Sequence, residues 1–136
     1  MTCLLRVSSQ NVDVDTLLVD AHAQPLSVWR KGDRRFPRST PSSTNGVSFL
    51  MSNAEFCQFM AQREDVLTFL HENAAWLRRL GSLHGVEIVA DFGVETHPPH
   101  WDSFVFEPVL LAALSEAGAS LELSVYPAPP GPADHA

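Results

Sequence analysis

Two kinds of chemistry are open to this chain on residue type alone: anion recognition by clustered arginines, and metal or proton chemistry by two histidines beside a carboxylate. The arginines lie in Arg30-Lys31-Gly32-Asp33-Arg34-Arg35-Phe36-Pro37-Arg38, where five bases meet one acid for a local charge of +4. The rest of the chain carries −11, which gives the net −7. Guanidinium forks at Arg34, Arg35 and Arg38 match phosphate or carboxylate oxygens, and Trp29 and Phe36 beside them offer stacking or apolar contact. The candidate ligand- or partner-binding residues are therefore Trp29, Arg30, Lys31, Arg34, Arg35 and Arg38. The same segment also serves as a solvated hairpin loop paired with the chain's own acids, each exposed pair contributing about 0–1 kcal/mol.

The second candidate is His97-Pro98-Pro99-His100-Trp101-Asp102, in which His97, His100 and Asp102 are suitable ligand types for zinc or nickel and Glu95 could assist acid-base work. Two prolines between the histidines hold the backbone extended, so the rings need not converge as they would on one helix face. The expectation is a rigid polar loop with Trp101 packed onto the sheet, and no cofactor. His22, His71, His84 and His135 are scattered, and linear order defines no catalytic triad. Asp91-Phe92-Gly93 shares three letters with the kinase magnesium motif but lacks that motif's surroundings, and no Walker-type or G-x-G-x-x-G loop is present.

The elements that must position these groups follow from periodicity. Cys3, Leu5 and Val7 alternate with Leu4, Arg6 and Ser8, as in a half-buried strand. Asp13 or Asp15 can cap a short helix to about Ala23, with Val14, Leu17, Leu18 and Ala21 on one face and Pro25 beyond it. Leu26 to Lys31 and Val47 to Met51 read as a hairpin with a long, mobile Gly/Pro/Ser/Thr-rich connection. Ser52-Asn53-Ala54-Glu55 has capping-box spacing and predicts a helix start. Val66, Leu70, Ala74, Leu77 and Leu80 predict a long amphipathic helix from Glu64 to Leu80, stopped by Gly81, with Arg78 and Arg79 at its negative end. Val86, Ile88, Ala90 and Phe92 form the buried side of a further strand. Pro108 opens a helix ended by Gly118, and Leu121, Leu123 and Val125 mark the last strand.

Strands with one wet face, and helices that all cover the other, predict an α+β two-layer sandwich with a mainly antiparallel sheet, ferredoxin-like with an added helix and strand. Arg6, Glu87, Asp91 and Glu122 fall on the wet face. The length suits a single domain over residues 1–126 followed by a Pro-rich tail over 127–136. Cys3 and Cys57 sit in apolar patterning and are expected as buried free thiols. No apolar run approaches the length of a membrane span and the opening residues lack a secretory pattern, so a soluble cytoplasmic protein is expected.

Some of these landmarks also occur together elsewhere. A Pro25-Leu26 step leads to the Trp29-Arg30-Lys31-Gly32-Asp33 turn, followed by the Glu64–Leu80 helix and the acidic-aromatic Glu87–Phe92 strand. The ending runs from Phe106-Glu107-Pro108-Val109-Leu110 through Leu121 to Tyr126. Together they resemble a family of small bacterial proteins catalogued as domain of unknown function 4279, over about Cys3 to Tyr126. The resemblance implies an α+β fold and no established activity. It carries over no site residue, and the His97–Asp102 loop has no counterpart in the pattern.

Three functions are consistent with these features. The acidic body, single cationic loop and missing catalytic set favour a non-enzymatic protein-binding module, such as an immunity-type partner that masks a basic protein through electrostatic steering. The alternatives are a binder of a small anionic ligand or nucleic acid through hairpin 29–38, and an enzyme built on His97, His100 and Asp102. The acidic pI disfavours broad nucleic-acid binding by the body of the protein. A homodimer covering the open sheet face or an unpaired edge is a further expectation.

Overall fold

A computed structural model describes residues 2–129. Its central strand, β1 (Cys3–Ser9), buries Cys3, Leu5 and Val7 fully and leaves Leu4, Arg6 and Ser8 part-exposed, as the two-residue period requires. It is paired antiparallel on both sides, with β3 (Asn45–Ser52) and β4 (Val86–Thr96). The short β2 (Ser27–Trp29) closes one edge antiparallel to β3, and β5 (Ala119–Pro127) closes the other parallel to β4. The order is β2-β3-β1-β4-β5. β1 and β2 therefore run parallel with β3 between them, and β3 and β4 run parallel with β1 between them. Two such interlocked split βαβ units constitute the ferredoxin-like arrangement. The added helix and strand are α4 (Pro108–Glu116) and β5, which complete a parallel crossover from β4.

The remaining helices are α1 (Val14–Leu18), α2 (Phe59–Glu72) and α3 (Ala74–Gly81). Side chains from all four helices join one core with the inner face of the sheet, including Leu17, Val66, Trp76, Leu80 and Leu114 against Leu5, Phe49 and Phe92. Trp76 packs edge-on against Phe49 with ring centroids 4.9 Å apart, and its indole N–H donates to the Leu17 carbonyl at 2.9 Å. The one polar group on this large ring is thus satisfied inside the core.

Several local expectations need correction. The helix expected from the Ser52 capping box begins only at Phe59, because Ser52 ends β3 and its hydroxyl donates to the Asp65 carboxylate at 2.6 Å. The single helix predicted over Glu64–Leu80 is two helices. Asn73 breaks it with φ −110° and ψ 17°, and its side chain returns a hydrogen bond to the Phe69 carbonyl at 2.9 Å. A short amide side chain competes with the backbone in this way, so Asn is a poor interior residue. Gly81 lies inside α3 rather than after it, and Arg79 turns away from its own helix end to donate to the Thr16 and Val19 carbonyls at the end of α1. That first helix stops at Leu18, short of Ala23, and Asp20 follows with φ 65°. β4 runs on to Thr96, and β5 reaches Pro127, so part of the expected tail is strand; residues 130–136 lie outside the described residues.

Cys57 also departs from expectation. It is exposed, in the turn before α2, whereas Cys3 is fully buried and its thiol is pushed up to about 12 by burial. A buried neutral thiol is inert, because only the thiolate attacks. Labelling of the native protein at neutral pH should therefore modify one thiol per chain. Denaturant should expose the second, and Cys57→Ser should abolish native labelling; native modification of Cys3 at the rate of an exposed thiol would contradict this packing.

Candidate functional site

The hairpin that carries the cationic segment returns over the open face of the sheet. Trp29 ends β2 opposite Gly46 of β3, and the indole lies so close to that glycine that a Cβ at position 46 would collide with the ring. Its N–H donates to Thr44 at 3.2 Å. Arg30-Lys31-Gly32-Asp33 then forms a tight turn, closed by Asp33 N–H to the Arg30 carbonyl at 2.9 Å and tightened by the Asp33 carboxylate on the Arg30 N–H at 2.7 Å. Gly32 takes φ 92° in this turn, a value that suits glycine. A second turn, Phe36-Pro37-Arg38-Ser39, is fastened by Ser39 N–H to the Phe36 carbonyl at 3.0 Å. Mutual backbone bonds between Gly32, Asp33 and Ser42 tie the stem. The connection expected to be long and mobile is thus a folded, hydrogen-bonded loop.

Between this loop and the sheet lies a cavity of about 690 Å³. Arg34 and Arg35 line it from the loop with Thr40 and Ser42, while Leu4, Arg6, Ser27 and Ser48 supply the sheet side. Trp29 forms part of the wall. Arg34 donates to the neutral Ser39 carbonyl at 2.8 Å, and the Arg35 guanidinium lies 5.7 Å from the Phe36 ring centroid. Neither interaction cancels the charge. Within the segment the one ion pair among the described residues is Arg30 with Asp15, at 3.9 Å between well-exposed side chains. Such a pair is worth little. Lys31 reaches the Gln10 carbonyl at 3.0 Å, and Arg38 is exposed. Of the six residues selected from the sequence, Trp29, Arg34 and Arg35 therefore share one cavity, while Arg30, Lys31 and Arg38 lie outside its lining.

Arg6 was legible only as a wet-face residue, yet it anchors the cavity floor. Its guanidinium bonds Asp91 at 2.9 Å and Glu122 at 2.7 Å, and Ser124 donates to the other Asp91 oxygen at 2.7 Å. Burial pulls the Arg6 pKa down, but the hydrogen bonds and charges of these two carboxylates outweigh it and raise the pKa, so Arg6 stays charged. The alternation that places Arg6, Asp91 and Glu122 on one face was the available signal. Their joining across three strands was not readable without the strand order.

The His97–Asp102 loop follows β4 and contributes nothing to the cavity lining. Asp102 accepts the His97 backbone N–H at 2.8 Å, and the His97 ring lies 3.4 Å from Asp102 and 3.6 Å from Glu95. The His97 N–H, more than the ring, holds the Asp102 carboxyl below its ordinary value. His100 donates its backbone N–H to the His97 carbonyl at 2.8 Å. Among the described residues no group of three or more His, Cys, Asp or Glu side chains is placed to hold a metal ion. Trp101 is 98% exposed and does not pack on the sheet.

Fold and cavity together define a small α+β protein of ferredoxin-like topology, extended by one strand, with an arginine-lined recess on its open sheet face. The family model described as domain of unknown function (DUF4279) matches residues 1–128, and the chain belongs to that family. No curated protein and no solved structure matches it. No helix among the described residues is long and apolar enough to cross a membrane.

The Trp29–Gly46 contact is testable by itself. Gly46→Ala should expel the indole from its seat, cost about 1–3 kcal/mol as overpacking does, and red-shift Trp29 emission in a Trp101→Phe background. Unchanged emission and stability would contradict the placement of Trp29.

Proposed function

We propose that this protein is a binding module whose recess takes a small oxyanion-bearing ligand, a phosphate or carboxylate, between Arg34 and Arg35 of the loop and the hydroxyl-rich sheet face. The observation that carries this reading is the pair of guanidinium groups, neither held in an ion pair, on the wall of a cavity about 690 Å³ in volume whose lining includes one carboxylate from the loop, Asp33. Thr40 adds a hydroxyl, the hydrogen-bonded Ser27–Ser48 pair on the sheet adds polar surface, and Leu4 and Trp29 add apolar surface for the body of the ligand. A cavity of this size falls within the range of ~300–1,000 Å³ usual for small-molecule sites. A long nucleic acid is disfavoured, because its backbone would run from the recess onto a body carrying −11 outside residues 30–38.

Protein masking is a second reading, supported by Trp101 at 98% exposure on a loop outside the recess. Exposed tryptophans are frequent anchors of protein interfaces. Under it, a partner captured at low salt should be lost with Trp101→Ala and retained when both arginines are replaced.

Calorimetric titration with inorganic phosphate, citrate and a nucleoside monophosphate should find a ligand among these oxyanions. Hydrogen bonds to charged groups contribute about 1.5–3 kcal/mol each, so Arg34→Gln with Arg35→Gln should weaken binding roughly 100-fold or more. Binding should also weaken with added salt. Absence of binding by all three probes, or equal affinity in the double variant, would overturn the proposal.

A further inference from the structure

We infer that the free edge of β5 is a homodimer interface, in which β5 pairs antiparallel with β5 of a second copy across a two-fold axis at Leu123, extending the sheet to ten strands.

β5 is the terminal strand on its side of the sheet, nine residues long, and no described strand pairs with its other edge. Alternate residues of a strand in a parallel ladder direct their N–H and C=O groups away from the neighbour, so this edge offers a row of unmet backbone partners. The usual guards against edge pairing are missing. The strand contains no lysine, no arginine and no proline before Pro127, and its register with β4 is unbroken from Ala119 to Pro127. Its single charge, Glu122, is drawn back over the sheet by Arg6 at 2.7 Å. By contrast, the opposite edge strand, β2, has only three residues.

The side chains identify the occupant as a second copy. Leu121, Leu123 and Val125 pair in register with Ala90, Phe92 and Val94, so they lie on the helix-layer face, yet they are 38%, 39% and 52% exposed. A two-fold antiparallel pairing must be centred on a residue, since only residues of equal parity share a face and a hydrogen-bonding direction. Centring on Glu122 would set two glutamates opposite each other, a destabilising match. Centring on Leu123 pairs all nine residues. Leu123 meets its own copy, Leu121 meets Val125, Glu122 meets Ser124 and Ser120 meets Tyr126. The two exposed aliphatic rows then merge into one strip on the helix-layer face, with no like charges opposed. Such isologous self-complementarity is what a C2 interface requires. Because β5 and β2 lie at opposite edges, both recesses stay open, and this inference does not rest on the anion reading.

Light scattering on the purified full chain at micromolar concentration should give twice the chain mass. Leu123→Lys, which sets two ammonium groups against each other at the axis, should give the single-chain mass with an unchanged circular dichroism spectrum. In a Cys57→Ser background, mild oxidation should cross-link Leu123→Cys as a symmetric disulfide. Glu122→Cys should remain uncross-linked, because its two copies lie diagonally apart, beyond disulfide reach. A monomeric wild-type chain, a dimer indifferent to Leu123→Lys, or cross-linking through position 122 in place of 123 would each overturn the inference.

Discussion

Strand β1 constrains everything around it, because it is hydrogen-bonded along both edges. A slip of one residue would turn Cys3, Leu5 and Val7 to the open face and drive Arg6 into the core. Burying an unpaired guanidinium there is prohibitive, so the charge of Arg6 fixes the register as firmly as the aliphatic side chains do. From that register follow the inward rows of β3 and β4, the seat for the helices, and the open face that the cationic loop covers. Arg6 in turn draws Asp91 of β4 and Glu122 of β5 into one network, so the added strand is tied to the centre of the sheet by charge as well as by its backbone.

The open face is less open than a plain two-layer sandwich would leave it. Glycine occurs on it at position 46, where Trp29 lies against the backbone, and at position 93, where a Cβ would come 2.9 Å from the Phe56 ring. Phe56 packs in turn on Tyr126, with ring centroids 5.3 Å apart. Aromatic rings supplied by the edge strand β2 and by the turn before α2 thus cover the sheet at two separate points. Between a cover and an ion-pair network on the floor, the recess gains walls without a second layer of helices. Arg34 and Arg35 belong to a loop whose shape is set by turns, so their guanidinium groups are held in a largely pre-set geometry.

How much of this was legible depended on whether the signal was local. The alternation of Cys3 to Ser8, the Asp13 cap and Pro108 at a helix start each concern neighbouring residues, and the strand and both helix starts stand where the pattern predicts them. The α+β two-layer class followed from element sequence and one-faced strands, whereas the order β2-β3-β1-β4-β5 did not. The Asn73 break was missed because apolar spacing continues across it; only the amide's competition for a backbone carbonyl reveals it. Ser52 imitated a cap because its hydroxyl has a partner thirteen positions away, in Asp65. The recess was half legible. Composition located its arginines, but the Trp29–Gly46 seat and the Arg6 floor depend on strand pairing, which no window of sequence contains. Trp101 and Cys57 were assigned to the interior by residue type, and loops placed both outside.

Arg79 and Trp76 close the end of α1 from α3, by hydrogen bonds to the carbonyls of Thr16, Leu17 and Val19. A helix of five residues cannot hold itself together in water. On the ribosome, then, the amino-terminal segment emerges well before the residues that stabilise it. The nascent chain must keep Leu17 and its neighbours unburied until the middle of the polypeptide has left the exit tunnel, a vulnerable interval in which chaperones have their best opportunity to act.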